Sequence, residues 1–456
     1  MTSAGQPPLH PTEPSAAYLN ATQEVIDERV AAAAEEEIPR VPQHYRDHDE
    51  LWERIDKRVE ELRDQLQFII EDLHAHPELA FEEYRSMGVL ADVVERHGFE
   101  VKRGAYGLET AFRARWESTE FTKDVDPTIV VMAEYDALPG IGHACGHNII
   151  AAAGVGAFLS AAAVLAETGL RGRVELQGTP AEEGHTGKEY MIRDGALAAA
   201  DAAVMVHGFS YDIAAHAWLG RRAVAAKFHG VAAHASSQPF MGRNALDAAN
   251  LAYQGIGLLR QQMPPSDRLH AIISHGGDRP SIVPAEAQLD IYVRSTGVDT
   301  LMDLSARIDD VVEGAAKMAG CGIEVTWDEH PMSLPVRNNG AIAQRWTRAQ
   351  ARRGRTALPA GTVPDSLAAS TDFGNVSQLV PGLHPMIKVS PTEVALHTED
   401  FAQWANTPEA LRAASDAAAG LAQVIVDLVG DKELLAEAKK EFSATGGAIS
   451  VQDLLA

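Results

Sequence analysis

The sequence predicts an α/β protein: a mostly parallel central sheet with helices on both faces, interrupted by a smaller α+β insertion. The first observation is a short apolar run at 128–133, which is typical of a strand buried on both faces. The second is the alternation of strand-like and helix-like segments up to about residue 217, as expected of parallel strands joined by helices. The third is a change of texture near residue 219, where strands of alternating polarity begin.

The elements follow one another in a regular order. Before the first buried strand, helical periodicity is found at 16–37, 51–74 and 86–97. The main domain continues with an Ala-rich helix, two strands and a closing helix, predicted at 149–166, 173–177, 202–206 and 411–429. The insertion is predicted to contain four strands and two helices, at 222–228, 270–275, 287–294, 323–327, 244–263 and 301–318.

These segments divide the chain into five stretches. A chain of 456 residues is too long for one ordinary core, which favours more than one domain. We predict a partly disordered N-terminal extension, a first part of the main domain, the insertion, a second part of the main domain and a C-terminal tail, at 1–44, 45–217, 218–335, 336–430 and 431–456.

Charge and cysteine content limit the partners and the compartment. The formal net charge of −25 argues against nucleic acid and anionic membrane as partners, because phosphates would find few cations to neutralise them. The uncharged stretch at 149–166 is rich in Ala and Gly, so we expect a buried helix rather than a membrane span. The two cysteines, Cys145 and Cys321, argue against a disulfide framework and favour a cytoplasmic location.

Side chains of metal-ligand type follow three predicted strands. They are, in chain order, Cys145 with His147, Glu182 with Glu183, and His207. Open α/β sheets place their sites beyond the carboxyl ends of the strands, and mixtures of thiolate, imidazole and carboxylate are typical of transition-metal sites. One of two adjacent carboxylates can hold a metal ion while the other takes a proton from an attacking water. The sequence therefore predicts a metal-dependent hydrolase.

Eight short motifs extend this pattern. They are HPEL at 76–79, YDALP at 135–139, HACGHN at 143–148, TPAEEG at 179–184, HG at 207–208, HGVAAHA at 229–235, STDFG at 370–374 and HTEDF at 397–401. In this order the chain resembles the aminoacylase/carboxypeptidase family of dinuclear metallohydrolases. The resemblance is strongest to the branch that contains p-aminobenzoyl-glutamate hydrolase, auxin-conjugate amidohydrolases and related dipeptidases.

The resemblance implies a centre of two divalent ions per subunit, Zn²⁺ or Mn²⁺, of which a thiolate ligand slightly favours Zn²⁺. The implied metal ligands are Cys145, His147, Glu183, His207 and His397. Glu182 is the implied general base. Asp136 is expected to orient a ligand histidine, although its position in the sequence also suits an ordinary loop cap.

The resemblance also implies that the insertion, 218–335, is a lid domain that dimerises the protein and closes over the site. His234 would then stabilise the oxyanion, often from the partner subunit, and Arg294, Asn244 and Ser370 would contact the substrate. The residues themselves leave simpler interpretations open. His234 suits an exposed strand end, Arg294 a surface strand, and Asn244 a helix N-cap.

Two positions depart from the family's pattern: Ser281 stands where related lids commonly carry Asn, and Asn148 where many relatives carry Asp. We predict a metal-dependent amidohydrolase or dipeptidase that cleaves the amide bond of N-acyl or N-aminoacyl amino acids, with a small amide or dipeptide as its partner. The alternatives are a hydrolase with Cys145 as nucleophile and a non-catalytic metal-dependent binding protein. The former leaves the other ligands without a role, and the latter leaves Glu182 without one.

Overall fold

The computed structural model describes residues 14–34, 38–40, 42, 45 and 48–456. Much of the disorder predicted within 1–44 therefore concerns residues outside the described part. The helices are α1 (Ala17–Ala34), α2 (Asp49–Glu61), α3 (Arg63–Ala75), α4 (Tyr84–Arg96), α5 (His147–Ala166), α6 (Gly187–Arg193), α7 (Ala245–Leu259), α8 (Val298–Ala319), α9 (Gly340–Arg352), α10 (Phe373–Ser377), α11 (Glu399–Trp404), α12 (Pro408–Gly430), α13 (Lys432–Ala444) and α14 (Val451–Leu455).

The strands form a six-stranded sheet, a four-stranded sheet and a two-stranded pair. They are β1 (Val101–Arg103), β2 (Phe112–Glu117), β3 (Thr128–Glu134), β4 (Arg173–Thr179), β5 (Ala202–Val204), β6 (His207–Phe209), β7 (Gly220–His229), β8 (Arg268–His275), β9 (Glu286–Ser295), β10 (Gly322–Trp327), β11 (Gly382–Leu383) and β12 (Met386–Lys388).

The six-stranded central sheet has the order β1-β2-β4-β3-β5-β11. Its core strands β4, β3, β5 and β11 pair in parallel, whereas β1 and β2 add an antiparallel edge. Every residue of β3 is buried, in agreement with the apolar run from which the strand was predicted. The fold class predicted from the sequence is confirmed.

Two apolar helices, α5 and α12, form much of the main core. Both are long and apolar enough to cross a membrane, but 89% and 94% of their most apolar windows are buried inside the protein. Small residues explain this close packing: a side chain at Gly154 would meet the carbonyl oxygen of Met132 at 2.8 Å, and one at Gly156 would meet Ala418 at 2.9 Å. The Ala/Gly-rich helix is therefore a core element, as predicted.

The four-stranded sheet, here called the lid sheet, has the order β10-β7-β9-β8 and is antiparallel throughout. Its inner face carries Val224, Ala226 and Phe228, which are buried together with apolar residues of α7 and α8. All four strands and both helices fall within the predicted lid domain. The domain boundaries themselves stay predictions.

Some elements differ from the sequence prediction. The helix predicted at 51–74 is divided into α2 and α3 at Leu62, whose backbone stays near helical values and whose N–H still donates to the carbonyl oxygen of Arg58. Amphipathic periodicity continues through this break, so the pattern could not reveal it. The predicted C-terminal tail contains α13, whose Leu434 is fully buried.

Candidate metal centre

Cys145 and His147 are positioned by the turn that connects β3 to α5. Gly146 lies between them with φ 79°, a left-handed conformation that favours glycine. A Cβ at this position would also approach Phe401 to 3.3 Å. His147 is the first residue of α5, so the thiol and the imidazole are held by a rigid core helix.

The Cys145 thiol is shared by two groups of possible ligands. Its Sγ atom lies 3.4 Å from His207 Nε2 and 3.3 Å from His397 Nε2. Glu183 Oε1 is 3.3 Å from His397 Nε2 and 3.9 Å from His147 Nε2. The ligand atoms of Cys145, His147 and His207 form one compact group and those of Cys145, Glu183 and His397 another, with all atoms of a group within 4.8 Å of each other. The structure thus brings together all five predicted ligands.

Glu182 lies beside this cluster. Its Oε2 atom is 4.0 Å from His147 Nε2. The Glu182 carboxylate forms a third compact group with the His147 imidazole and the Glu183 carboxylate. The loop after β4 that carries both glutamates is strained, because Ala181 adopts φ 59°. A left-handed conformation at a non-glycine residue costs roughly 1–2 kcal/mol, so the surrounding contacts must hold it.

Two carboxylates supply those contacts. Glu83 accepts a hydrogen bond from the backbone N–H of Ala181 at 2.8 Å. Asp136 accepts one from the backbone N–H of Glu183, also at 2.8 Å, through one oxygen. Its other oxygen is 3.0 Å from His147 Nδ1. Asp136 therefore orients both His147, a predicted metal ligand, and the loop that carries Glu182 and Glu183.

The orientations of the histidine rings suit metal binding. His147 Nδ1 lies 3.0 Å from Asp136, so Nε2 is the ring nitrogen that faces the cluster. His207 Nδ1 donates to the carbonyl oxygen of Gly208 at 2.7 Å, which likewise leaves Nε2 facing Cys145. His397 has φ 61°, and its backbone N–H donates to the carbonyl of Ala144 at 2.9 Å. This bond ties the last predicted ligand to the turn that carries Cys145.

Burial and neighbouring charges shift the pKa values of several groups in the cluster. Burial and the neighbouring Glu183 raise the pKa of the Cys145 thiol well above its ordinary value. Burial, Glu183 and Glu134 raise the pKa of Glu182 in the same way. Burial lowers the pKa of His207 to about 3, so its imidazole is neutral. Divalent ions reverse this balance for the thiol, because a coordinating thiol is deprotonated.

Two ligand atoms are buried without hydrogen-bond partners, His147 Nε2 and Glu183 Oε1. Such atoms are rare in proteins unless they face an ion or a water molecule. Together with the thiol and imidazole groups, they form a donor set that fits transition-metal ions. We conclude that the residues present fit a pair of divalent ions.

Sequence reasoning missed a buried ion triad next to this cluster. Lys188, on α6, contacts Glu134 at the end of β3 and lies 2.6 Å from Asp372 Oδ1. The two carboxylates are 54 and 184 residues from Lys188 in sequence, so no local pattern joins them. The only signals were a charged residue at the end of a buried strand and the STDFG motif.

The predicted lid residues are not joined to the metal ligands. His234 is exposed, and its Nδ1 atom accepts from the backbone N–H groups of Ser236 and Ser237 at 3.3 Å. Across the described part of the chain, no hydrogen bond, ion pair or ring contact links His234 to the cluster. Asn244 caps α7 by accepting from the backbone N–H of Leu246 at 3.0 Å, as the simpler interpretation expected.

Arg294 and Ser370, the two other predicted substrate contacts, lie beside residues at the start of the lid domain. Arg294 is paired across the sheet with Arg221, and both guanidinium groups lie against the Tyr292 ring, at 5.9 and 5.5 Å from its centroid. Arg221 in turn donates to the carbonyl oxygen of Gly184 at 3.2 Å. Ser370 pairs with Leu219 in an isolated bridge, and its hydroxyl is buried. Substrate binding by Asn244, Arg294 and Ser370 stays a prediction.

Strand ends that hold thiol, imidazole and carboxylate groups around one shared sulfur define a metal-dependent hydrolase. The model of peptidase family M20/M25/M40 matches residues 130–423, and the chain belongs to this family. The family resemblance inferred from the motifs is confirmed, and with it the prediction of a hydrolytic enzyme that acts on amide bonds.

Individual relatives agree with this assignment. The chain is 34% identical over 398 residues to the Xaa-Arg dipeptidase of Mus musculus, covering 86% of this chain and 92% of the relative. It is 31% identical over 299 residues to a p-aminobenzoyl-glutamate hydrolase polypeptide of Escherichia coli (strain K12), covering 61% of each. The fold matches that of a dinuclear metal-binding M20 peptidase from Bacillus subtilis with a TM-score of 0.61 and 22% identity, over 80% of this chain and 99% of that one.

Proposed function

We propose that the chain is a dipeptidase that uses two divalent ions, held by Cys145, His147, Glu183, His207 and His397, with Glu182 as general base. The observation that carries the proposal is the shared position of the Cys145 sulfur. It belongs to two compact groups of ligand atoms, whereas Glu182 belongs to neither of them. If these five residues hold the two ions, the Glu182 carboxylate would remain unbound beside them and could move a proton.

When bound, the ions polarise the scissile carbonyl and make a water molecule more acidic. Glu182 removes a proton from the attacking water as its oxygen bonds to the carbonyl carbon. The same carboxyl group then gives this proton to the amide nitrogen, so that the C–N bond breaks and a neutral amine leaves. Asp136 holds His147 and the loop that carries Glu182 and Glu183 in fixed positions during both proton transfers, because it forms a hydrogen bond with each of them.

For the metal we propose Zn²⁺, with Mn²⁺ as the alternative. A thiolate between two imidazoles is a softer donor set than Mn²⁺ prefers. Metal analysis of protein purified without added metal, followed by reconstitution of the metal-free protein with either ion, distinguishes the two. Activity restored only by Mn²⁺ would contradict the choice of Zn²⁺.

For the substrate we propose dipeptides with a free carboxylate and Arg as the C-terminal residue. The similarity to a Xaa-Arg dipeptidase over most of both chains supports the leaving residue. Arg294 supports the carboxylate, because its side chain has no hydrogen bond or ion pair among the described residues and a guanidinium binds carboxylates in bidentate fashion. Comparing Ala-Arg, Ala-Glu, N-acetyl-Arg and p-aminobenzoyl-glutamate tests this, and faster cleavage of either Glu compound would contradict it.

We further propose a cytoplasmic homodimer formed through the lid domain. β8 is an edge strand of the lid sheet, and its Ile272 and Ile273 are 62% and 40% exposed. An exposed apolar edge strand favours pairing with a second copy. Both cysteines are free thiols, which suits a reducing compartment. Light scattering of the wild type and of Ile272→Asp, together with cell fractionation, tests these points; a monomeric wild type would contradict the first.

The decisive experiment is Glu182→Gln, measured for turnover and for metal content. Loss of a general base costs about 10²–10⁴-fold in rate, whereas the ligand set is untouched. We therefore expect two ions per subunit and almost no dipeptide cleavage. A hydrolase with Cys145 as nucleophile would instead keep its activity after the ions are removed by a chelator.

A further inference from the structure

The ion triad of Glu134, Lys188 and Asp372 is enclosed next to the proposed metal centre. The exposed fraction of each of these side chains is 1% or less. Lys188 contacts one oxygen of each carboxylate, and the second Asp372 oxygen accepts from the Lys188 backbone N–H at 2.9 Å. With both carboxylates ionised, the triad carries one net negative charge, and all three side chains are buried. An unbalanced buried charge is costly unless something nearby compensates it.

The second oxygen of Glu134 shows where that compensation would come from. Glu134 Oε2 has no hydrogen-bond partner and lies 3.6 Å from His147 Nε2, which has none either. Because His147 Nδ1 faces Asp136 at 3.0 Å, Nε2 is the ring nitrogen that faces the Glu134 carboxylate. A cation held at Nε2 would lie close to the free Glu134 oxygen and would be attracted by its charge.

We propose that Glu134 is a further anionic residue of the metal centre, which strengthens binding of the divalent ion at His147. Lys188 and Asp372 are positioning residues that fix the Glu134 carboxylate with its free oxygen toward that ion. The inference rests on the proposed function, since it requires a metal ion at His147. It adds a carboxylate that none of the recognised sequence motifs assigned to the site.

A purely structural triad gives a different expectation. In that case Glu134 serves only to neutralise Lys188, and its removal changes folding stability but not metal affinity. Asp372 still pairs with Lys188 when Glu134 is neutralised, so the lysine does not lose its only partner. Metal affinity therefore separates the two roles.

The test is Glu134→Gln, which removes the charge and keeps the shape. Metal-free wild type and variant are titrated with Zn²⁺ against a chromophoric chelator, and both dissociation constants are measured. Residues that support metal ligands typically change affinity by about 10–100-fold, so we expect a loss of that size at one ion and little change at the other. Lys188→Met is expected to weaken the same ion, because the carboxylate is then no longer held in place.

Glu175→Gln is the matched control. Glu175 is 3% exposed and contacts Arg115 and Tyr106, so it is also a buried, ion-paired glutamate of the central sheet. No ligand of the proposed centre is among its described partners, and we expect wild-type affinity for both ions.

The outcomes are distinguishable. Unchanged dissociation constants in Glu134→Gln overturn the inference while leaving the proposed function intact, whereas a wild type that fails to bind two ions overturns the proposed function itself. Circular dichroism of the metal-free proteins shows whether each variant folds. Should Glu134→Gln not fold, Glu134→Asp keeps the charge but withdraws the carboxylate from His147. Unchanged affinity in that variant overturns the inference equally.

Discussion

The central sheet and the lid sheet prepare their functional side chains in different ways. In the central sheet the parallel strands β3 and β4 end side by side, and the loops that follow them bring Cys145, Glu182 and Glu183 together inside one chain. In the lid sheet the strands are antiparallel, and His234, which follows β7, is exposed and makes only local side-chain hydrogen bonds among the described residues. The predicted metal ligands therefore meet within one chain, whereas His234 contacts none of them in the part of the chain that the structure describes.

The largest effect is expected from Cys145→Ser. This change removes the sulfur shared by both groups of ligand atoms, so both ions should be lost together. Several kcal/mol of barrier reduction disappear with them, which corresponds to about a thousandfold or more in rate. Metal analysis and dipeptide turnover measure the result. Cys321→Ser is the control, because Cys321 lies in the lid domain away from the cluster. Retention of both ions by Cys145→Ser would remove the sulfur from its proposed bridging role.

His234→Ala tests the other side of the comparison. Loss of an oxyanion donor is expected to lower the rate constant by about 10²–10³-fold without changing metal content. Heterodimers of His234→Ala with Cys145→Ser, purified through two different tags, should regain about half of the wild-type activity. One of their two sites then combines an intact cluster with an intact histidine from the other subunit. Heterodimers as inactive as their parents would show that His234 acts within its own chain or not at all.

Arg294→Ala is expected to have an intermediate effect. If its guanidinium holds the substrate carboxylate, KM for dipeptides rises by about 10–100-fold, while kcat changes less. The same variant should treat a dipeptide amide almost as the wild type does, because that substrate has no carboxylate. An equal loss for the acid and the amide would mean that Arg294 supports the lid sheet rather than the substrate. Arg294→Lys keeps the positive charge but not the bidentate guanidinium group, so its KM should lie between those of the wild type and Arg294→Ala.

Glu83→Gln is expected to have the smallest effect, on stability rather than rate. Burial and the nearby Asp136 raise the pKa of Glu83 to about 7 from 4.5, so the folded protein holds this proton more tightly than the unfolded chain. The wild type therefore loses stability relative to the variant as the pH rises from 4.5 to about 7. The free energy of unfolding should diverge by at most about 3 kcal/mol over that range. Denaturant unfolding at pH 4.5 and 8 measures it, and a pH-independent difference would contradict the shift.

Much of the central region could be predicted because its residues obey local rules. A strand buried on both faces and followed by Cys145 and His147 predicts a functional site at the end of that strand. His397 was found only through its motif, since nothing in its local sequence predicts the hydrogen bond from its backbone to Ala144. The Glu134, Lys188 and Asp372 triad was missed because its pairing depends on how distant elements pack.

The lid was predictable as a set of elements but not as a source of function. Alternating polarity gave its strands, and Asn244 before a helical stretch gave the cap of α7. Whether His234 or Arg294 contacts a substrate depends on what binds to the exposed surface of the lid domain. Such contacts produce no periodic pattern in the sequence.

The loop that carries Glu182 and Glu183 is hydrogen-bonded to the two segments through which the chain passes between the central sheet and the lid sheet. Arg221, at the start of β7, donates to Gly184 and also to the Thr186 hydroxyl at 3.2 Å, and Thr186 bonds to Ser333 on the return crossing at 3.1 Å. Loss of these bonds is therefore expected to loosen the segment that carries Glu182, the proposed general base.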